Sequence, residues 1–215
     1  MEYEVNFSFR DVDGLLGGGE ELADERAEVV ERFNELVAPS GGYSLYASLS
    51  VGEDCFVLDG RTFRCGTRIA GALQGATSAA VFAVTVGDAV VGLERKYNEA
   101  YDYIKAYWCD KLANLALGKV LAALKDELRD NVHKEGLQIT SHWGPGYCGW
   151  DIREQEHLLP LSPAAGLGIT LSSSMLMRPV KSMSGVLGVG REVIYKESGC
   201  ADCRLEKCAY RSVKW

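Results

Sequence analysis

The sequence predicts an α+β fold with an antiparallel sheet. Three observations carry that expectation. Strand-like segments lie towards both ends of the chain, with helical ones between them. The regular strand–helix alternation of a parallel sheet is absent. A proline-free stretch from Asp88 to about Lys134 is helical in character throughout. The chain has 215 residues, of which 47% are hydrophobic and 25% charged, an ordinary globular composition. A chain of this length buries roughly 70–75% of its unfolded surface, enough for a core without staples. One domain over residues 1–215 is the default expectation, and two small lobes are the alternative.

Tyr3, Val5, Phe7 and Phe9 alternate with Glu4, Asn6 and Ser8. Period two predicts a half-buried strand. Gly17-Gly18-Gly19 breaks the chain. A helix is expected from about Glu20 to Val37, with Leu22, Val29, Val30, Phe33, Leu36 and Val37 as its apolar stripe. Acids at its start suit the helix dipole. Pro39 and Gly41-Gly42 end it.

Tyr43 to Val51 reads as strand-like. Cys55–Leu58, Asp59-Gly60 and Arg61–Phe63 read as a hairpin, because Asp-Gly suits a two-residue turn with positive φ. Thr67 is placed to cap a short helix that Gly75 closes. Ala79 to Val86 is a continuous apolar run and predicts a buried strand. The stretch from Asp88 to Lys134 is too long for one typical helix. Two helices are expected, breaking near Tyr103–Trp108, the second central and mostly buried.

Asp151 is placed to cap a short helix from Ile152 to Leu159, stopped by Pro160 and Pro163. Gly168 to Met177 reads as a strand. Val186–Val189 and Glu192–Lys196 read as a second hairpin turning at Gly190-Arg191. A cysteine-rich tail covers residues 198–215.

Composition excludes several function classes. The net charge is -7 and no basic run exists, against the clustered Lys and Arg that neutralise nucleic-acid phosphates. No apolar stretch of about 18 residues predicts a membrane span. Met1-Glu2-Tyr3-Glu4 is acidic and does not read as a signal peptide. A cytoplasmic protein is expected, with no nucleic-acid or membrane partner. No His-Glu-x-x-His, Gly-x-Ser-x-Gly or phosphate loop occurs, and the three histidines, His133, His142 and His157, stand apart. By elimination the chain reads as a binder rather than a self-sufficient hydrolase.

Two segments stand out. Gly144-Pro145-Gly146-Tyr147-Cys148-Gly149-Trp150 must be a loop, since no regular element tolerates this glycine and proline content. It reads either as a packed turn or as a ligand loop whose glycines let backbone come close. Cys200, Cys203 and Cys208 crowd the C-terminus. Their spacing suits zinc or an iron–sulfur cluster, or they are plain reduced thiols; Cys148 is a candidate fourth ligand. Seven cysteines, an odd number, argue against a disulfide framework.

The loop has a further significance. Pro145–Trp150, followed by Gly168–Met177 and Lys181–Gly188, resembles the activation (reactivation) domain of vitamin B12-dependent methionine synthase, above all its free-standing relatives. Ala83–Gly87 and the helix after it are similar to the family's middle region. The resemblance covers roughly residues 55 to 211; residues 1–50 match only as a strand followed by a helix. It implies a single, curved α+β domain that binds S-adenosylmethionine and docks over the corrinoid of a cobalamin-binding partner. A flavodoxin- or ferredoxin-type donor supplies one electron, and the methyl group of S-adenosylmethionine then restores methylcobalamin. The chain would be at most the activation component of a corrinoid methyltransferase.

The resemblance also implies ligand positions: His142, Gly144, Pro145, Gly146 and Tyr147, with a later family tyrosine falling near Tyr195. The family carries Arg where this chain has His142, and an acid in the long helix where this chain has Asn114 or Gly118. Imidazole is a poorer carboxylate clamp than a guanidinium. Three readings therefore stand: a reactivation protein acting in trans, a non-catalytic corrinoid-protein interaction module that has lost the ligand, and a metal-bearing redox adaptor.

Overall fold

The computed structural model describes residues 1–195. The fold is α+β, with antiparallel sheets and one long helix. Its strands and helices fall into two compact units, and β1, β5, α5 and β9, introduced below, contribute residues to both. Among the described residues no helix is long and apolar enough to cross a membrane.

The first unit comprises residues 1–41, 84–123 and 166–183. It opens with an extended segment whose burial alternates as the sequence pattern requires, Val5 and Phe7 inward and Glu4 and Asn6 outward. The segment is not the expected strand. It makes one isolated bridge, Glu2 to Ser40, and a side chain, Asn34, satisfies the backbone of Phe7. The alternation records burial, not a ladder. Phe9 begins α1 (Phe9–Leu16), capped by the Ser8 hydroxyl accepting from the Asp11 N–H. After Gly17–Gly19 and one 3-10 turn comes α2 (Ala23–Leu36), which buries Val29, Val30 and Phe33 against α1 and later helices.

The proline-free stretch divides into α4 (Ala89–Glu99) and α5 (Tyr103–His133). The break falls at residues 100–102, just before the expected place. Tyr101 adopts φ 60° there, and the Asp102 carboxylate caps α5 by accepting from the Lys105 N–H. The segment expected as one strand over Gly168–Met177 is a small hairpin, β7 (Thr170–Leu171) with β8 (Met177–Arg178). Its serines turn the chain: Ser172 accepts from the Leu176 N–H, and Met175 takes φ 62°.

The second unit comprises residues 42–83, 124–165 and the chain from 184. β2 (Leu49–Val51), β3 (Phe56–Leu58) and β4 (Arg61–Phe63) form an antiparallel meander, with Phe56 opposite Phe63. Asp59 and Gly60 carry φ 50° and 72°, as the two-residue turn demands. α3 (Gly66–Leu73) follows. Thr67 does not cap it; the helix starts two residues earlier than that cap would set, at Gly66 with φ 78°, and Cys65 occupies the cap position. Asp151 does cap the later helical segment, accepting from the Arg153 N–H. That segment comprises a 3-10 turn and α6 (Gln155–Leu158). Pro160 and Pro163 do not stop the chain from turning. Each sits in a further 3-10 turn, where the first positions need no N–H donor.

A four-stranded sheet runs in the order β1 (Ser40–Tyr46), β5 (Ser78–Thr85), β9 (Ser182–Gly190), β6 (Gln138–Ile139). β6 pairs antiparallel with β9. Thr77 bonds to Val189 and Val86 to Lys181, so β5 also runs antiparallel to β9. Both central strands are buried almost throughout, which explains the unbroken apolar run of β5; β9 buries Ser182 and Ser184 along with its apolar residues. Among the described residues the expected second hairpin is not formed: β9 is a single strand ending at Gly190, residues 191–195 form no strand, and Lys196 lies outside the described residues.

Candidate functional site

The chain leaves β6 still following β9, but with a slip. Ile139 faces Val189, whereas Trp143 bridges Val186. Four residues on one side span three on the other, which is a β-bulge. Thr140 secures it, accepting from the Gly188 N–H at 2.9 Å and donating to the Ser141 carbonyl at 2.8 Å. The bulge delivers His142 and then the Gly144–Trp150 loop.

The loop is clamped to β9 by absent side chains. A Cβ on Gly144 would stand 2.6 Å from the Ser184 carbonyl oxygen, and one on Gly185 would stand 2.4 Å from that of Trp143. Backbone meets backbone here, so only glycine serves at either position. Within the loop, Gly146 donates to the Trp150 carbonyl at 2.8 Å and Trp150 donates to that of Tyr147 at 2.9 Å. Gly146, Cys148 and Gly149 all take positive φ. Trp150 anchors the loop, buried edge-on against Phe56 at 5.5 Å and Phe63 at 6.3 Å. Ser184 is held from the other side by a hydrogen bond from the buried Gln155 amide. The result is a rigid base, with Gly146, Tyr147, Cys148 and Gly149 presented to solvent and the Tyr147 ring 53% exposed.

His142 is partly buried, and its Nδ1 is shut off from solvent with no hydrogen-bond partner among the described residues. Its ring stands edge-on to Phe82 at 6.1 Å. Burial, and then the nearby Lys125 ammonium, push its pKa down to about 4. The imidazole is therefore neutral at physiological pH. It offers one hydrogen bond but no charge, so it cannot replace an arginine as a carboxylate clamp.

The other expected positions lie as follows. Tyr195 packs its ring under the Arg129 guanidinium of α5, at 5.5 Å. Asn114 belongs to a polar cluster in the first unit: it donates to Asp110 at 2.9 Å and accepts from the Lys181 ammonium at 3.0 Å, and Lys181 is also ion-paired to Asp110. Asp110, one turn before Asn114 on the long helix, is thus already paired. Lys181 and Gln155 are the polar anchors that sequence reasoning missed. Lys181 stood in the block Lys181–Gly188, but nothing in the pattern marks the helix residue it meets.

Cys200, Cys203 and Cys208 lie outside the described residues. Among the described residues no group of three His, Cys, Asp or Glu side chains could hold a metal. Burial pushes the Cys65 thiol up to about 11 and the Cys109 thiol up to about 12, so neither supplies a ready thiolate. Cys148 is exposed on the loop.

No family model matches this chain, and no curated protein matches it in sequence. Among solved structures it is similar to the crystal structure of the MetH reactivation domain bound to AdoHcy. The TM-score is 0.58 with 16% identity, over 87% of this chain and 70% of that one. At that identity the likeness is one of fold.

Proposed function

We propose that this chain binds S-adenosylmethionine at the Gly144–Tyr147 loop and supports reductive reactivation of a cobalamin-bearing methyltransferase partner in trans. One observation carries the reading. The two sequence blocks expected to build the ligand loop meet in space, Gly144 beneath Ser184 and Gly185 beneath Trp143, and they leave Gly146 and Tyr147 outward on a rigid base. The fold shared with a domain solved with AdoHcy supports it. The Gly146 N–H and the Tyr147 N–H and C=O are used within the loop, so the exposed Gly146–Gly149 backbone offers a ligand its remaining groups, and the Tyr147 ring offers a stacking face. The chemistry would belong to the cofactors: an electron from a flavodoxin- or ferredoxin-type donor, and a methyl group from S-adenosylmethionine onto the partner's cobalamin. The chain would contribute position and exclusion.

The neutral His142 favours a second reading, a corrinoid-protein interaction module that no longer takes the ligand. Calorimetry with S-adenosylmethionine and S-adenosylhomocysteine separates the two. Saturable binding that Tyr147→Ala weakens supports the first reading and leads to a reactivation assay with a Co(II) partner. No heat at about 5 mM ligand, where even a millimolar site would be mostly filled, rejects it. Ligand-independent co-purification with a corrinoid protein would then support the second.

A further inference from the structure

A cleft of about 540 Å³ lies in the second unit, among α3, the bulge after β6 and the residues that follow β9. Its walls include Arg68, Gln74, Ser141, Trp143, Glu192 and Ile194. It is not the loop surface considered above: Ser141 and Trp143 face the cleft, while His142 between them lies against Phe82. Its size falls in the usual range for small-molecule sites.

Two side chains that line it carry buried donors without acceptors. Nη2 of Arg68 and Nε1 of Trp143 are both shut off from solvent and have no hydrogen-bond partner among the described residues. A buried polar group left unpaired costs about 1–3 kcal/mol, so native proteins rarely leave such donors without an acceptor. Both groups donate and neither accepts, which asks for an acceptor with two oxygens. A guanidinium selects a carboxylate or phosphate in the same way. Glu192, exposed at the cleft, disfavours a second negative charge. Ile194, 75% exposed, gives an apolar body somewhere to rest.

We infer that this cleft binds a small molecule carrying a single carboxylate on an apolar body, the carboxylate meeting Arg68 and the Trp143 indole N–H. The inference is independent of the loop reading and goes beyond it.

The test follows the indole N–H resonances of the full-length protein by NMR. Trp143→Phe identifies the Trp143 signal. Isovalerate, L-leucine and inorganic phosphate are added separately at about 10 mM, which nearly saturates a millimolar site. Isovalerate or leucine should shift the Trp143 resonance saturably, and phosphate should shift it at least several-fold less. Arg68→Gln should abolish the shift while the remaining spectrum stays that of the folded protein, Arg68→Lys should weaken it, and Tyr147→Ala should leave it unchanged. A Trp143 signal indifferent to both carboxylates, equally responsive in Arg68→Gln, or moved by phosphate alone would overturn the assignment.

Discussion

The two compact units keep their interiors by different means. The second is mainly apolar at its centre, where Phe56, Phe63, Leu73, Val81 and Trp150 pack together; it also buries Lys125, 7% exposed, and holds Gln155 to Ser184 beside the glycine loop. The first carries charge inward. Arg26 is 4% exposed and bonds to Asp13 and to the Gly19 carbonyl; Lys181 reaches Asp110 and Asn114. Apolar packing is non-directional and tolerates only missing or surplus volume. A buried charge depends on a few directed bonds, and removing one partner leaves the other exposed to the full desolvation penalty. The second unit should therefore fail through lost volume and the first through lost partners.

The largest effect belongs to Trp150→Ala. It removes the ring that joins the loop to the β3–β4 hairpin and opens a cavity. The expected loss is about 3–5 kcal/mol, read as a lower urea midpoint with an unchanged slope. Gly185→Ala should also destabilise strongly, because its new Cβ would collide with the Trp143 carbonyl oxygen rather than with a movable side chain. A small effect from both would mean that the loop is not part of the second unit's cooperative core.

Next in size comes the titration of the imidazole partly buried beside the loop. The folded pKa of His142 is about 4, against about 6.5 unfolded. Between those values the unfolded chain binds the extra proton, so stability rises with pH there. Full stability is present above about pH 6.5 and is lost as pH falls towards 4, by at most about 3 kcal/mol. His142→Gln should flatten that part of the stability profile, measured by urea unfolding at a series of pH values. An unchanged slope between pH 4 and 6.5 in the variant would show that other groups carry it.

The same contrast explains what could be read from the sequence. The Asp59-Gly60 turn, the buried run of β5 and the Asp151 cap were legible, because each follows from one local rule. The rigidity of the glycine loop was legible only as glycine content; that Gly144 and Gly185 clamp against each other's neighbours required the register of β9. The Tyr3–Phe9 alternation was read correctly as burial but wrongly as a strand, because an extended edge and a paired strand share period two. The hairpin expected of Val186–Val189 with Glu192–Lys196 is not seen, because Gly190-Arg191 resembles a turn while residues 192–195 form no strand among the described residues. Directed polar contacts were hardest. Nothing in the sequence says that Lys181 meets Asp110, or that Arg26 is inside at all, since a helical arginine is usually on the surface.

Arg26 gives the finest test of the comparison. Its Nε bonds to Asp13 Oδ1 at 2.6 Å, its Nη1 bonds to the Gly19 carbonyl at 2.9 Å, and its guanidinium lies 5.8 Å from the Trp108 ring centre. Asp13 is 40% exposed, so water takes over part of the lost interaction and Asp13→Ala should cost only about 1–2 kcal/mol. Arg26→Met removes the charge and its desolvation together and keeps a long chain against Trp108; it should cost less than Asp13→Ala, within about 1 kcal/mol of the parent. The order is the point, and urea unfolding of both variants at one pH decides it. If Arg26→Met proved the more damaging, the guanidinium's bonds to Asp13 and Gly19 would be stabilising the unit outright, rather than offsetting the penalty of burying a charge.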